Sequence, residues 1–247
     1  MKTILRVLSY PLTAIFYLCF GICIVLFHPV QWFCFNVFGY AAHKRSVEWL
    51  NWWLMRCLNI LGSRFTVTLP EGIPKDVPII IVSNHQSMWD IPPIIWYMRK
   101  LHPKFVSKME LGKGIPSISY NLRHGGNILI DRKNPKQALT EMIKFGRYLS
   151  EKNFSGVIFA EGTRSRDGHP KPFRRSGVST LFKKTKDAYV LPLTVNNSWK
   201  LQRYGMFPVP LGVHVKLIAH APLKISDYDL DELIDTVEKT VTSAIEI

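Results

Sequence analysis

The stretch Ile79-Ile80-Ile81-Val82-Ser83-Asn84-His85-Gln86-Ser87-Met88-Trp89-Asp90 begins as an unbroken β-branched run and ends with a histidine and an aspartate five residues apart. The run reads as a buried strand. Asp90-Ile91-Pro92-Pro93 then reads as a helix start, with Asp90 at or near the N-cap and proline tolerated in the first turn. His85 therefore leaves a strand end, and a short loop can bring the Asp90 carboxylate back to its imidazole. Such a pair suits a general base, because the carboxylate fixes the tautomer and stabilises the imidazolium. A structural histidine beside a plain helix cap uses the same residues. The two uses of Asp90 are compatible, since a carboxylate has two oxygens.

Outward from this stretch the chain alternates. Apolar runs at 64–69, 104–107, 127–131, 156–160, 190–195 and 213–219 read as further strands, and helical patterns separate several of them. The clearest helices run from Pro135 to Ser150 and from Leu230 to Ile245, each with one apolar face. This alternation predicts an α/β fold with a mixed, largely parallel sheet covered on both sides. Pro192 lies inside the 190–195 run and predicts an edge strand or a bulge there.

The N-terminal quarter differs. Between Arg6 and Lys44 there is no Asp, Glu, Lys or Arg, and aromatics crowd the segment. Residues 8–27 alone approach the ~20 that a spanning helix needs. His28-Pro29 predicts an interruption, and a separate amphipathic helix is expected from Ser46 to Leu61, stopped by Gly62. Positive charge flanks both ends of the apolar segment (Lys2 and Arg6; Lys44, Arg45 and Arg56). A single span gains no clear orientation from that distribution, whereas a re-entrant hairpin satisfies both ends. A basic start without a small-residue cleavage site does not make a cleavable signal peptide. The expected organisation is a membrane-associated helical segment over 1–62 and an α/β domain over 63–247.

The 247 residues carry 32 lysines and arginines against 18 acids, a net charge of +14. Seven acids and one base fall within 227–247, so the remainder carries +20. A body that basic suits an anionic partner: nucleic acid, anionic lipid or a phosphorylated substrate. No nucleic-acid reading module is present, and the apolar N-terminus fits that class badly. Cys19, Cys23, Cys34 and Cys57 lack zinc-site spacing and read as reduced apolar filler in a chain facing the cytosol.

Polar residues follow three more strands, where α/β sites gather. Lys108 ends Phe105-Val106-Ser107-Lys108, and Asp131-Arg132 ends the 127–131 run. Val157-Ile158-Phe159-Ala160 runs into Glu161-Gly162-Thr163-Arg164-Ser165, a glycine turn with an acid, a hydroxyl and a guanidinium. Arginine can fork onto phosphate oxygens. A surface lysine and a structural Asp–Arg pair remain alternatives for Lys108 and Arg132. The Gly-Lys-Ser/Thr ending of a Walker loop is missing, as is a Gly-x-Ser-x-Gly nucleophile elbow. Together these features describe proton abstraction from an alcohol on an anionic amphiphile.

Asn84-His85-Gln86-Ser87-Met88-Trp89-Asp90 resembles the Asn-His-x4-Asp block of the glycerolipid acyltransferases. Residues 126–132, 159–165 and 190–195 resemble that family's second to fourth blocks, in the same order and at similar spacing. Within the family the pattern is most like its bacterial 1-acyl-sn-glycerol-3-phosphate acyltransferase branch. The resemblance covers about 79–195. It implies an α/β acyltransferase domain preceded by a two-helix membrane motif. The implied reaction moves a fatty acyl group from acyl-CoA or acyl carrier protein to the 2-hydroxyl of lysophosphatidic acid, giving phosphatidic acid. In the roles so implied, His85 is the general base and Asp90 orients it. Lys108, Arg132 and Arg164 hold the glycerol phosphate, with Glu161, Gly162 and Thr163 shaping that pocket. No metal or bound cofactor is implied. The expected partners are membrane lipids rather than nucleic acid, at the cytosolic side of the cytoplasmic membrane. Another lysolipid acceptor, or an inactive lipid-binding protein, would use much of the same sequence.

Overall fold

The computed structural model describes residues 2–247, so Met1, the first residue of the expected helical segment, lies outside the described residues. The β-branched runs form strands β1 (Arg64–Thr68), β2 (Ile79–Ser83), β3 (Pro103–Lys108), β4 (Ile128–Ile130), β5 (Ser155–Phe159), β6 (Tyr189–Asn196), β7 (His214–Ala219) and β8 (Leu223–Lys224). They make one mixed sheet in the order β1-β7-β6-β2-β5-β3-β4, with β8 also on β6. Only the β6–β7 and β6–β8 ladders are antiparallel.

The five-residue strand β2 is buried throughout because helices cover both of its faces. Ile79 and Ile81 point into one apolar core with Trp89, Ile94 and Leu58. Ile80 and Val82 point into the other with Phe145, Leu181 and Val237. The first layer comprises α1 (Lys2–Ile60) and α2 (Ile91–Tyr97). The second comprises α4 (Pro135–Lys152), α5 (Arg175–Lys184) and α6 (Leu230–Ser243). The short α3 (Ile118–His124) packs on α1.

Two expectations need correction. Pro192 sits in β6, a central strand between β7 and β2 and not at an edge, but the antiparallel register slips by one residue beside it, an irregularity of the bulge kind. It is tolerated because it falls where the partner chain crosses from β7 to β8. The β7 ladder begins at Leu193–Ala219, the β8 ladder ends at Val190–Leu223, and the Pro192 carbonyl accepts from His220 N. The missing N–H thus falls in a gap of the ladder.

The second correction concerns the N-terminus. His28-Pro29 does not interrupt the helix, which carries both Pro11 and Pro29 within it, and no separate helix starts at Ser46. One proline removes a single backbone hydrogen bond, which a long helix survives. The reversal occurs instead at Gly39 (φ 77°, ψ −167°), a conformation that L side chains rarely adopt. Two arms, 2–38 and 40–60, fold back so that the Cys23 and Cys57 sulfurs lie 3.8 Å apart; all four cysteines are free. One side of the first arm is buried on the α/β domain, with Thr13 Oγ1 accepting from Val209 N at 2.9 Å and Ser117 Oγ donating to Ile24 O at 2.6 Å. The other side exposes Val7, Leu18, Val25, Leu26 and Phe38, with Trp49 and Trp53 on the second arm. So large a bare apolar face is uncommon on a protein surrounded by water.

Candidate active site

Four neighbouring parallel strands, β2, β5, β3 and β4, end along one edge of the sheet. His85 follows β2, Glu161 to Arg164 follow β5, Lys108 closes β3 and Arg132 follows β4. The sheet order therefore gathers residues from four separate stretches.

His85 Nδ1 lies 2.7 Å from Asp90 Oδ2. Asp90 is fully buried, and the His85 side chain keeps 12% of its exposure. Among the described residues, no hydrogen bond engages the other ring nitrogen, Nε2. The imidazole stacks on Phe159, with ring centroids 3.9 Å apart. The local architecture refines the expected cap. Asp90 holds the N-cap position of α2 as expected, though without a side-chain cap bond there, and Ser87 caps the preceding 3-10 turn Met88–Asp90, its Oγ accepting from Trp89 N at 3.1 Å. The Asp90 carboxylate reaches back to accept from Gln86 N at 2.8 Å and Ser87 N at 3.1 Å. One carboxylate both closes the turn and meets the imidazole.

Two partners were not legible beforehand. Ser198, 108 residues further on, donates from Oγ to Asp90 Oδ1 inside the core. The Asn84 side chain pins the end of β2 to β6, donating to Val195 O at 2.8 Å and accepting from Val195 N at 2.7 Å. Asn84 has a signal in its place beside His85, whereas Ser198 has none.

The glycine turn packs against the His85 loop. Ser165 N donates to His85 O at 2.7 Å, and His85 N approaches Glu161 Oε1 at 3.4 Å. Gly162 has φ 69°, and a Cβ there would meet the Arg174 side chain at 2.7 Å. Thr163 and Arg164 are exposed, and Lys171 staples the turn by donating to Thr163 Oγ1 at 3.3 Å and Arg164 O at 2.7 Å. Glu161 is 2% exposed and its Oε2 has no partner. Burial pushes its carboxyl up to about 7, against smaller opposing effects from the His85 amide and Lys171.

Arg174 and Arg164 are close enough to Arg132 to perturb it. Desolvation, then Arg174 and, more weakly, Arg164, lower the Arg132 pKa, with Glu110 opposing. Desolvation also lowers that of Arg164, while Asp90 raises it. Lys108 is exposed at the end of β3 and makes no side-chain hydrogen bond or ion pair among the described residues.

Residues 64–196 match the family model described as Acyltransferase, which is more than half of the chain. The chain belongs to the acyltransferase family. Similar proteins include the 1-acyl-sn-glycerol-3-phosphate acyltransferase of Limnanthes douglasii, 32% identical over 161 residues, covering 64% of this chain and 55% of that protein. The enzyme of that name from Pseudomonas aeruginosa is 30% identical over 216 residues, covering 85% of this chain and 80% of its own. This acyltransferase chain spans about half the length of the plant relatives it matches. The crystal structure of the 1-acyl-sn-glycerophosphate (LPA) acyltransferase PlsC from Thermotoga maritima superposes with a TM-score of 0.79 at 27% identity, covering 98% of this chain and 95% of that one. The expected fold and family are thus borne out.

Proposed function

We propose that this acyltransferase moves a fatty acyl group from acyl-CoA or acyl carrier protein to the 2-hydroxyl of 1-acyl-sn-glycerol-3-phosphate, giving phosphatidic acid. The observation that carries the reading is the 2.7 Å His85–Asp90 contact at a strand edge shared with Arg132 and Arg164. His85 Nε2 takes the proton of the acceptor hydroxyl. Asp90, held by Gln86 N, Ser87 N and Ser198 Oγ, keeps Nδ1 protonated and stabilises the imidazolium. The acceptor oxygen attacks the thioester carbonyl carbon; the new C–O bond forms, the C–S bond breaks, and the imidazolium returns its proton to the departing thiolate. No acyl-enzyme intermediate is required. Arg164, Arg132 and Lys108 hold the glycerol phosphate by charge-assisted hydrogen bonds. Glu161, Gly162 and Thr163 form the wall between that phosphate and the base.

The bare apolar face of α1 supports association with a membrane, at the cytosolic side of the cytoplasmic membrane in this proposal. The partners are then membrane lipids, lysophosphatidic acid and the acyl carrier. The intact His85–Asp90 pair argues against an inactive lipid-binding protein, in which a degenerate site would be expected to lose one partner. Incubation of purified protein with lysophosphatidic acid, other lysolipids and both donor classes, with products identified by mass, tests the proposal. Phosphatidic acid is the expected product, and wild-type turnover by His85→Ala would overturn the dyad.

A further inference from the structure

A second group of cationic and imidazole side chains lies at the opposite end of β3, where the hairpin meets the sheet. Lys104, the second residue of that strand, is 6% exposed. Its Nζ lies 4.8 Å from the ring centroid of Tyr40 and 5.4 Å from that of Phe154. Among the described residues it has no hydrogen-bond acceptor and no ion-pair partner. His43, fully buried, faces the same space with both ring nitrogens unpartnered, as does His102 with Nδ1 unpartnered. The nearest carboxylate, Glu48, is taken by Lys44. Beyond them stand His124 and Tyr120 on α3, and Tyr148 on α4 against Phe154. Glu48 lines the same space with its carboxylate committed to Lys44, which leaves Lys104 and the two imidazoles without an acceptor of their own.

Buried ammonium groups are ordinarily paired, and an unpaired one calls for a counter-ion. The rings of Tyr40 and Phe154 supply part of the compensation, as cation–π partners. They leave the open side, a cavity of about 30 Å³ lined also by Asn121 and Asn127. That space takes one or two oxygen atoms rather than a whole headgroup. His43, Lys44, Val47 and Glu48 of the second arm line it, on the same hairpin that carries the exposed apolar face. Phosphate oxygens are the commonest anions at a lipid surface.

We propose that this cavity is an oxyanion site, separate from the acyl-transfer site, in which Lys104, His43 and His102 receive a phosphate oxygen from an anionic lipid headgroup or from free phosphate. Burial, and then the Lys44 charge, lowers Lys104 to about 7 and His102 to about 4. An anion beside Nζ favours the ammonium form.

The test compares the full chain with its Lys104→Met variant, both carrying Arg164→Ala to weaken phosphate binding at the acyl-transfer site. Thermal unfolding is followed in neutral detergent against inorganic phosphate, and in nanodiscs of phosphatidylcholine with or without phosphatidylglycerol. Loss of one charge-assisted partner weakens binding by about tenfold or more. The expected result is a rise in Tm with phosphate, with phosphatidylglycerol, or with both, that Lys104→Met abolishes. A response to phosphatidylglycerol alone identifies the headgroup, and a response to phosphate alone identifies the free ion. Equal responses in the two proteins, or no response in either, would overturn the proposal. Lys104→Met also removes an unpaired buried charge, so it should fold and be at least as stable in the absence of anions.

Discussion

Glu161 offers a test in which the sign and size of an effect follow from burial alone. Its ordinary value of 4.5 becomes about 7 in the folded protein, chiefly because the carboxylate is removed from water. Between those values the folded chain holds a proton that the unfolded chain has released. The contribution to stability is full below pH 4.5, declines as pH rises through the window, and is lost above pH 7. Each pKa unit is worth ~1.4 kcal/mol, so the whole shift costs about 3 kcal/mol above pH 7. Solvent screens little of this, because the residue is 2% exposed. Glu161→Gln keeps the shape of the neutral acid and cannot ionise. Its advantage over wild type should be ~1 kcal/mol at pH 5.5 and grow to about 3 kcal/mol by pH 8, or several degrees in Tm for a chain of this size. Urea unfolding followed by tryptophan fluorescence across that range measures the difference directly. If the variant and wild-type curves run parallel from pH 5.5 to 8, Glu161 titrates like an exposed carboxylate and the burial argument fails.

Asp90→Asn should leave the fold intact and reduce kcat by ~10²–10⁴-fold, the usual worth of general acid–base help; a change below about fivefold in steady-state turnover would remove Asp90 from the dyad. Arg164→Ala should raise KM for the phosphorylated acceptor more than for a phosphate-free analogue, and equal losses would count against a phosphate contact. Ser198→Ala removes a buried hydrogen bond to a carboxylate, worth about 1.5–3 kcal/mol. It should lower stability by that order and move the acidic limb of the kcat/KM–pH profile, a shift that a purely structural serine would not produce. Gly162→Ala meets both a positive φ and the Arg174 side chain, so acyl transfer should fall along with Tm.

The strands were legible because most lie within a sheet covered on both faces, which leaves runs such as Ile79–Val82 without polar interruption. β8 was missed because two residues after Ala221-Pro222 carry no periodicity. Pro192 misled as to an edge because a local rule about prolines cannot see where the neighbouring strand ends. In the hairpin, two residues that break helices competed for one reversal. Proline costs a hydrogen bond and a kink, but only Gly39 adopts the backbone that turns the chain around. The positions of the site residues could be inferred because strand ends collect on one edge of an α/β sheet. Ser198 could not, since its relation to Asp90 exists only after β6 is laid beside β2. Lys104 looked like any lysine near a strand, because burial by a distant helix leaves no local mark.

In the proposed reaction the same hairpin bears on how a lipid acceptor would reach His85. Trp89, within the loop between His85 and Asp90, is 1% exposed and lies edge-on to Phe16 and Phe20 of α1, at 5.4 and 5.5 Å. The first arm continues along the domain from Thr13 to Asn36, whose side chain donates to the Tyr120 hydroxyl. An arm packed along its length cannot stand upright in a bilayer without drawing the basic α/β domain in with it. If the apolar face meets a membrane as proposed, this packing favours a hairpin lying in one leaflet over a span, with Leu18 and Ile22 turned to lipid. A helix with its side chains is about 10 Å across. The loop that holds Asp90 rests on one side of that cylinder and the lipid-facing residues lie on the other. An amphiphile can then set its phosphate among the arginines while its acyl chain stays largely in the leaflet. In the proposed reaction the cost of extracting a whole lipid into water would then be avoided.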